Sequence, residues 1–545
     1  MSASSNNGSS SQTTALDNIK NVIVLMFENR SFDHILGAMP GADGVHDNNK
    51  NVLPELYNTM NPTTAPGDDN TPTFPTVIVP DSSPQMLIGE SQVVKHDFTH
   101  DFGDGMLQDI FGPGTTGVIS GKPQNNPSVT YPATNSGFLS TIAYDVKGQP
   151  PNGKGALSYF DWGSMEVLHK LAESFLVCDA WHCDMPGHTS PNRAFMHCAT
   201  TGDLGINDDD SVGSTRMVNR TTIFERIQET NQTWKMYSQN LHLDTNWLNE
   251  QVLSQQYNQD DPTAFNVTNV PLANFFTDLE NGTLPFYSFI MCWSDFGPDT
   301  SMHPASPVEA GENMLACIYN ALQSSNYWTD TLLIVNFDEN GGMYDHRGVP
   351  QATPPDFAPS DSQQPPISTW FSKYTKQTYS FDFSILGVRI PVLLISPWLN
   401  AGVCNTQYQN TSILRFLQDL LPNPDSIPYY LTQRDLNAPT IAPVFDYAQF
   451  GSQNERTDYP VNLQGYGNSV TCSELQIGNE PSVAELATPP APHMEKMTRV
   501  YFGPMPGHPD SGKPLTRGFA TVGEMRAYAQ ERLSAALAYL KNKEL

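Results

Sequence analysis

The feature that most constrains the fold is a set of short apolar runs that alternate with helical patterns. Residues 19–27 (IKNVIVLMF) and 331–337 (TLLIVNF) are rich in consecutive apolar side chains rather than alternating with polar ones. Between such runs, residues 308–323 repeat apolar side chains at the spacing of an amphipathic helix. Strands of this kind are buried on both faces, as in a sheet covered by helices. The pattern therefore predicts an α/β fold with a mostly parallel central sheet.

Further elements follow from the same patterns. We predict strands at 175–178, 233–238, 284–290 and 389–396, and helices at 164–175, 191–199, 221–231, 411–421 and 524–545. The predicted domain layout comprises a flexible N-terminal tail (1–16), a catalytic domain (17–430) with long insertions at 40–85 and 103–155, and a C-terminal extension (431–545). The insertions are predicted because residues 40–85 are rich in Pro, Asp, Asn and Thr and residues 103–155 in Gly, Pro, Asn and Ser. The last helix is expected to dock on the catalytic domain.

The charge balance excludes some partners. The 545 residues include 28 basic and 57 acidic side chains, a net charge of 28 − 57 = −29. A chain this negative is a poor ligand for nucleic-acid phosphates and for anionic lipid, so we expect no nucleic-acid partner. No apolar run approaches the roughly 18 residues of a membrane span. The first twenty residues are polar, so no cleavable signal peptide is visible, and localisation and oligomeric state stay open.

Polar residues cluster where predicted strands end or helices begin. Since the carboxyl ends of parallel strands meet at one edge of an open α/β sheet, such clusters indicate a functional site there. The clusters cover residues 28–34, 187–193, 299–304 and 338–346.

Adjacent carboxylates in one of these clusters suggest a metal site. Asp338 and Glu339 directly follow an apolar strand and precede two glycines, so a turn is expected. Neighbouring carboxylates repel each other unless a cation lies between them. Glu28 and Asn29 offer further oxygen ligands. The alternative is an exposed acidic turn, which several clusters together make less favourable.

Two hydroxyls precede the predicted helix at 191–199. Thr189 and Ser190 are suitable N-caps, which is the simpler interpretation. Either hydroxyl is also a candidate nucleophile, provided that a base or a metal activates it. Asn192 and Arg193 are candidates for holding phosphate oxygens. Residue type alone does not separate Thr189 from Ser190.

Three histidines lie in polar or Gly-rich loops. They are His100, His303 and His346. A single loop histidine is usually a surface residue, but three beside a metal site are candidates for ligands, phosphate donors or the acid that protonates the leaving group.

Seven segments resemble, in order, the motifs of the bacterial and fungal phosphoesterase family. That family includes phosphatidylcholine-type phospholipases C and an acid phosphatase, within the alkaline-phosphatase-like superfamily. The segments are IKNVIVLMFENRSFDHILG (19–37), DFTH (97–100), GHTSPNR (187–193), MHPASPVEAGENML (302–315), TDTLLIVNFDENGGMYDH (329–346), GVRIPVLLISPW (387–398) and TSILRFLQDLL (411–421).

The resemblance implies a specific fold and mechanism. It implies an alkaline-phosphatase-like three-layer α/β/α sandwich and a phosphoric ester hydrolase that forms a covalent phospho-enzyme. It implies one divalent metal ion, of open identity (Ca, Mg, Mn or Zn), and favours Thr189 over Ser190 as the metal-bound nucleophile. The implied metal ligands are Glu28, Asn29, Thr189, Asp338 and Glu339. The implied active-site residues are His100, His303 and His346, with Asn192 in the nucleophile loop.

The resemblance leaves the substrate open. Phospholipase C-like activity on a phospholipid is the leading hypothesis, acid phosphatase activity on a small phosphomonoester is the alternative, and a non-catalytic phosphate- or lipid-binding protein is a further one. Family members are typically secreted or periplasmic. The chain departs from the family pattern at His188, where Pro is usual, and at Gln409-Asn410, where Asp-His is frequent.

Overall fold

The structure, a computed structural model, describes most of the predicted catalytic domain. The described residues are 14–46, 57–59, 73–75, 80–81, 105–111, 118–119, 135, 137–138, 156–201, 220–238, 269–292, 299–304, 308–355, 368–371, 378–422, 430–463, 483–489, 509–510 and 518–543. The strands are β1 (Asn21–Phe27), β2 (Tyr57–Thr59), β3 (Thr73–Pro75), β4 (Pro80–Asp81), β5 (Val118–Ile119), β6 (Tyr159–Phe160), β7 (Leu176–Cys178), β8 (Trp181–His182), β9 (Trp234–Ser238), β10 (Asn269–Pro271), β11 (Tyr287–Met291), β12 (Thr331–Phe337), β13 (Ser368–Phe371), β14 (Thr378–Phe381), β15 (Leu393–Ile395), β16 (Gly402–Cys404) and β17 (Tyr408–Gln409).

The helices follow the predicted order. They are α1 (Phe32–Leu36), α2 (Leu107–Phe111), α3 (Leu168–Ser174), α4 (Thr189–Cys198), α5 (Ile223–Glu229), α6 (Ala273–Asn281), α7 (Val308–Gln323), α8 (Thr411–Leu420), α9 (Gln433–Leu436), α10 (Val483–Leu486) and α11 (Val522–Lys543). Short 3₁₀ turns occur at Ala15–Asn18, Trp328–Asp330 and Ala442–Phe445. Among the described residues, no helix combines the length and apolar character needed to cross a bilayer.

An eight-stranded mixed sheet forms the centre of the molecule. Its strand order is β10-β9-β11-β1-β12-β15-β7-β16. Neighbours pair in parallel except at β15, which is antiparallel to both β12 and β7. Every residue of β1 and of β12 is buried, so both faces of the sheet are covered. The predicted α/β class with a mostly parallel central sheet is confirmed.

The reversed direction of β15 has a consequence for the site. Because β15 runs against its neighbours, the residues that precede it lie at the edge where the other strands end. Arg389 stands just before β15 and is therefore brought to that edge, together with the segments that follow β1 and β12. An apolar run does not reveal its own direction, so the sequence did not predict this position.

Segments near both ends of the predicted catalytic domain contribute to the main core. Ala15, within the predicted N-terminal tail (1–16), is fully buried there, and its 3₁₀ turn contacts the 3₁₀ turn at Ala442–Phe445. Beyond residue 430, Ile441 and Phe445 also belong to that core. The final helix, α11, contributes Met525 and Ala529 to it.

A second, smaller apolar cluster includes part of the predicted insertions. Leu107 and Ile110 of α2 are buried there together with Tyr344 and Val388. Most residues of the predicted insertions at 40–85 and 103–155 lie outside the described residues. The described part of the second insertion therefore packs beside the segments that follow β12 and precede β15.

Candidate active site

The carboxyl ends of β1 and β12 bring four predicted metal ligands together. Phe27 and Phe337 are paired at the ends of these parallel strands, and the backbone N–H of Asp338 donates to the Phe27 carbonyl at 3.1 Å. The side chains that follow are at most 1% exposed. They belong to Glu28, Asn29, Asp338 and Glu339. The alternative interpretation, an exposed acidic turn, is therefore wrong, because both strands end inside the molecule.

The two turns are locked against each other. Asn29 has a φ of 61°, a left-handed conformation that Asn tolerates better than most residues, and its N–H donates to Asp338 Oδ1 at 3.0 Å. Gly341 has a φ of 61° as well, and a Cβ atom there would lie 2.4 Å from the Asn29 carbonyl oxygen. Glycine at 341 is thus required by both its conformation and this close approach.

Thr189 joins this group from the start of α4. It is the first residue of the helix, and the N-cap is His188, so the predicted capping role of Thr189 or Ser190 is wrong. The Thr189 hydroxyl instead donates to Asn29 Oδ1 at 3.3 Å. We call Glu28, Asn29, Thr189, Asp338 and Glu339 the ligand cluster.

Arg193 forms ion pairs with two carboxylates of the ligand cluster. Its guanidinium contacts Glu28 Oε1 at 2.9 Å and Asp338 Oδ2 at 3.2 Å, and all three side chains are buried. The sequence suggested phosphate oxygens as its partners. Its partners here are carboxylates, because Arg193 lies one helical turn after Thr189 in α4, against the ends of β1 and β12.

Asn192 holds the backbone of the loop that precedes α4. Its Oδ1 accepts from the Met185 N–H, and its Nδ2 lies 3.1 Å from the carbonyl oxygens of Met185, Gly187 and His188. His188 has a φ of −71°, the value that a proline ring imposes. The departure from the family's usual Pro therefore keeps the backbone entry into α4.

The second departure lies beneath the ligand cluster. Asn410 Nδ2 donates to the carbonyl oxygens of Phe337 (3.4 Å) and Asp338 (3.3 Å), and its Oδ1 accepts from Trp181 Nε1 at 3.0 Å. Gln409 Nε2 contacts Asp184 Oδ1 at 3.2 Å. Asn410 thus supports the end of β12, whereas Gln409 binds Asp184.

His303 lies on a strained loop next to the ligand cluster. The Glu28 N–H donates to the Ser301 carbonyl at 2.9 Å, and Ser301 Oγ accepts from the His303 N–H at 3.1 Å. Met302, between them, has a φ of 63°, which costs an L-residue roughly 1–2 kcal/mol. His303 Nδ1 lies 2.8 Å from the Pro304 carbonyl. Because a carbonyl only accepts, Nδ1 of the neutral ring carries the proton and Nε2 is its acceptor nitrogen.

His346 belongs to a second group of charges. Its Nδ1 contacts Asp33 Oδ2 at 2.8 Å and its Nε2 contacts Asp43 Oδ1 at 3.2 Å. Arg389 bridges Asp33 (2.9 Å) and Asp345 (2.8 Å). We call Asp33, Asp345, His346 and Arg389 the arginine cluster. The predicted His100 lies outside the described residues.

Both clusters shift the pKa values of their acids. Burial raises the pKa of Asp338, and the charge of Arg193 offsets this only in part. Burial also acts to raise the pKa of Asp33, but His346 and Arg389 hold it below its usual value. Burial opposes the charge on His346, yet Asp33 and Asp43 raise its pKa to about 10. His346 is therefore a cation at neutral pH.

The two groups differ in their suitability for a metal ion. Asp33, Asp345 and His346 offer three ligand atoms within 4.8 Å of one another, but Arg389 already binds both carboxylates. The ligand cluster combines three buried carboxylates with an amide and a hydroxyl oxygen, and its described ion pairs come from Arg193. Hard oxygen donors of this kind fit a divalent cation. The ligand cluster is therefore the better fit.

The sequence analysis did not identify Arg389 or its partner Asp33 as site residues. Arg389 and Asp33 are at most 2% exposed and lie 356 residues apart in the chain. The available signal was the charge of Arg389 itself, which interrupts the apolar stretch around 388–395. A buried arginine requires carboxylate partners, and Asp33 and Asp345 both follow predicted strands.

The fold and the site together define a class, and a family comparison agrees with it. The model of the Phosphoesterase family matches residues 19–421. An α/β sheet with a hydroxyl and buried carboxylates at its carboxyl edge, in a chain with this match, is a phosphoric ester hydrolase. The chain belongs to the Phosphoesterase family. The predicted family and enzyme class are confirmed.

Named relatives of the chain are phospholipases C. Non-specific phospholipase C5 of Arabidopsis thaliana is 29% identical over 443 residues, which cover 78% of this chain and 74% of that protein. Non-specific phospholipase C3 of the same plant is 29% identical, with coverage of 82% and 76%. Non-hemolytic phospholipase C of Pseudomonas aeruginosa is 27% identical, with coverage of 74% and 54%. A solved structure from Vibrio parahaemolyticus, described as a protein in the alkaline phosphatase superfamily, has 15% identity, coverage of 48% and 62%, and a TM-score of 0.26.

Proposed function

We propose that this chain is a metal-dependent, phospholipase C-like hydrolase that uses Thr189 as its nucleophile and passes through a covalent phospho-enzyme. The observation that carries the proposal is the position of the Thr189 hydroxyl, 3.3 Å from Asn29 Oδ1 in a group of buried carboxylates. The names of the relatives support phosphoester hydrolysis of the phospholipase C type.

The start of α4 suits the first step. Thr189 is the first residue of a ten-residue helix, and the positive end of the helix dipole favours a phosphate anion there. Thr189 Oγ1 loses its proton to solvent and attacks phosphorus in line, the bond from phosphorus to the leaving alcohol oxygen breaks, and the phosphoryl group, with any remaining alcohol substituent, is held on threonine. Asn192 contributes by holding the loop before α4 in place.

His303 is the proposed proton carrier. With Nδ1 turned to the Pro304 carbonyl, proton exchange takes place at Nε2. Protonated at Nε2, the ring supplies the proton that the leaving alcohol oxygen needs. Neutral at Nε2, it then accepts a proton from the water that attacks phosphorus. The bond from phosphorus to Thr189 Oγ1 breaks, the phosphorylated product leaves, and Thr189 regains its hydroxyl proton from solvent.

The ligand cluster would hold one divalent ion through Glu28, Asn29, Thr189, Asp338 and Glu339. Such an ion supplies charge neutralisation and lowers the pKa of a bound hydroxyl. The residues around it act by position: Arg193 keeps Glu28 and Asp338 in place, and Asn410 holds the backbone of Asp338. His346 acts through its contacts to Asp33 and Asp43. His100 is a further proposed active-site histidine, on the resemblance of its segment alone.

A phospholipid or another zwitterionic phosphodiester is the proposed substrate. The net charge of −29 repels anionic membranes but leaves a neutral headgroup unaffected. The phosphomonoester alternative uses the same nucleophile, and the two differ only in whether an alcohol substituent remains on phosphorus. A direct comparison of the two ester types separates them.

The test compares p-nitrophenyl phosphorylcholine with p-nitrophenyl phosphate, each with and without a chelator. We expect faster turnover of the choline diester and loss of activity with chelator, restored by one of Ca, Mg, Mn or Zn. Thr189→Ala should lower kcat at least about 10,000-fold, as loss of a nucleophile does elsewhere. Rapid quenching should leave the phosphoryl adduct on the peptide that contains Thr189.

Ser190→Ala is the matched variant, since it removes the neighbouring hydroxyl from the same helical turn. If Ser190→Ala abolishes activity and Thr189→Ala retains it, the nucleophile is misassigned. Faster turnover of the monoester would favour the phosphatase. Turnover of neither ester would favour the non-catalytic binding protein.

A further inference from the structure

Two loops at the site are joined by one buried arginine. Arg30 directly follows Asn29 of the ligand cluster, and its side chain is 1% exposed. Its Nε donates to the Met302 carbonyl at 2.7 Å. Met302 precedes His303, so this contact links the turn that carries two predicted metal ligands to the histidine loop, which we define as residues 299–304.

Burial of the Arg30 charge carries a large desolvation free energy. Its hydrogen-bond partners are the Met302 carbonyl and, at 3.3 Å, the ring nitrogen Nε2 of His34. Burial lowers the pKa of Arg30 to about 9, and Asp299 offsets this only by attraction at a longer range. An apolar side chain of similar volume would fill the space at a lower cost. The charge therefore needs a reason beyond packing.

Met302 supplies that reason. Its φ of 63° is an unusual conformation for a bulky residue and is maintained only where the surroundings impose it. Arg30 donates a hydrogen bond to the Met302 carbonyl. The Met302 side chain packs against Gly311, where a Cβ atom would lie 2.3 Å from Met302 Cγ, so only glycine leaves room for it. This conformation decides the direction in which the next residue, His303, leaves the loop.

We propose that Arg30 is a positioning residue that holds Met302 in its left-handed conformation and thereby aims His303 at the phosphoryl group. The inference rests on the proposed function, because it takes His303 as the proton carrier. Arg30 itself exchanges no proton and contacts no reacting atom. Its contribution to the rate passes through the histidine loop.

The kinetic test is a double-mutant cycle between Arg30→Gln and His303→Gln. Arg30→Gln alone should lower kcat about 10- to 100-fold with little change in KM, since small misplacements of a reacting group have effects of this size. In the His303→Gln background, the same change should lower kcat by less than about threefold, because the residue through which it acts is already gone. Equal effects in both backgrounds would overturn the proposal.

Two further variants separate positioning from loss of folding. Arg30→Lys keeps the charge and one donor, and we expect it to recover part of the lost kcat. Arg226→Gln is the matched control, because Arg226 pairs with Glu229 on the surface of α5. It should stay within about twofold of the unchanged enzyme. A loss with Arg30→Lys as large as with Arg30→Gln would count against positioning by the donated hydrogen bond.

A readout that needs no turnover keeps this inference distinct from the proposed function. In histidine-labelled protein, the ring nitrogen signals of His303, identified by their absence in His303→Gln, should move in Arg30→Gln and stay in Arg226→Gln. If the unchanged enzyme hydrolyses neither ester but these signals move, the proposed function fails and the positioning contact stands. Signals that stay fixed in Arg30→Gln overturn the inference.

Discussion

Two buried acidic groups lie at the same edge of the sheet, and each is bridged by one arginine. In the ligand cluster, Arg193 contacts Glu28 and Asp338. In the arginine cluster, Arg389 contacts Asp33 and Asp345. Both groups combine the segment after β1 with the segment after β12. They therefore differ in little except their balance of charge.

The net charge distinguishes the ligand cluster, the proposed site of chemistry, from the arginine cluster, to which we assign a structural role. With its carboxylates ionised, the ligand cluster together with Arg193 carries −3 + 1 = −2, from Glu28, Asp338, Glu339 and Arg193. The arginine cluster carries −2 + 2 = 0 when His346 is protonated. Buried charge has to be compensated, so the proposed divalent cation suits the first group better than the second. The three predictions that follow test this difference.

The largest effect is expected when the ligand cluster loses one charge. Asp338→Asn keeps an oxygen that accepts from the N–H groups of Asn29 and Glu339. The fold should therefore persist, while kcat/KM falls about 10,000-fold, or roughly 5.5 kcal/mol. Activity assays and the metal content of the purified protein measure both parts. Asp345→Asn, in the arginine cluster, is the control and should leave the metal content of the protein unchanged. An Asp338→Asn protein that still binds the metal and is active would contradict the proposed difference between the two clusters.

Removal of the bridging cation should affect stability in the arginine cluster. Arg389→Met leaves Asp33 and Asp345 buried without their guanidinium, and we expect a loss of about 3–5 kcal/mol in the free energy of unfolding. Denaturant titration measures it. The control is Arg415→Met, which removes a partly exposed partner of Asp419 on α8 and should cost about 0.3–0.5 kcal/mol. Equal losses in both variants would contradict the structural assignment.

The smallest effect concerns the pH dependence of stability. The folded pKa of His346 is about 10 and its usual value is 6.5, so its stabilisation is full below pH 6.5 and is lost as the pH rises through 10. His346→Gln should flatten this decline, which we expect to be on the order of 2 kcal/mol after solvent screening. Thermal unfolding at several pH values measures the slope.

His169→Gln is the histidine control for this slope. Burial lowers the pKa of His169 to about 4, so the ring is neutral throughout the window from pH 6.5 to 10. Its replacement should shift the whole stability curve without changing the slope in that window. A flattened slope in His169→Gln, or an unchanged one in His346→Gln, would show that another group titrates there.

The sequence predicted the ligand cluster better than the arginine cluster for a physical reason. Glu28 and Asp338 each follow an apolar strand directly, and pairing of parallel neighbours then brings their positions together. The partners of Arg389 depend on the direction of β15, which an apolar run does not encode. The sequence predicted phosphate oxygens as the partners of Arg193. Residue type shows that a guanidinium binds an anion, but it does not show which anion lies nearest in the fold.

The central position of β1 has a consequence for synthesis of the chain. Its neighbours, β11 and β12, begin at Tyr287 and Thr331, so β1 stays without either neighbour until 287 − 27 = 260 further residues have been translated. The contact from Asp33 to Arg389 spans 356 residues. At about 5–20 residues per second, Asp33 waits on the order of 20–70 s for its partner. An apolar strand that lacks its neighbours exposes the kind of surface that chaperones bind and from which aggregation starts.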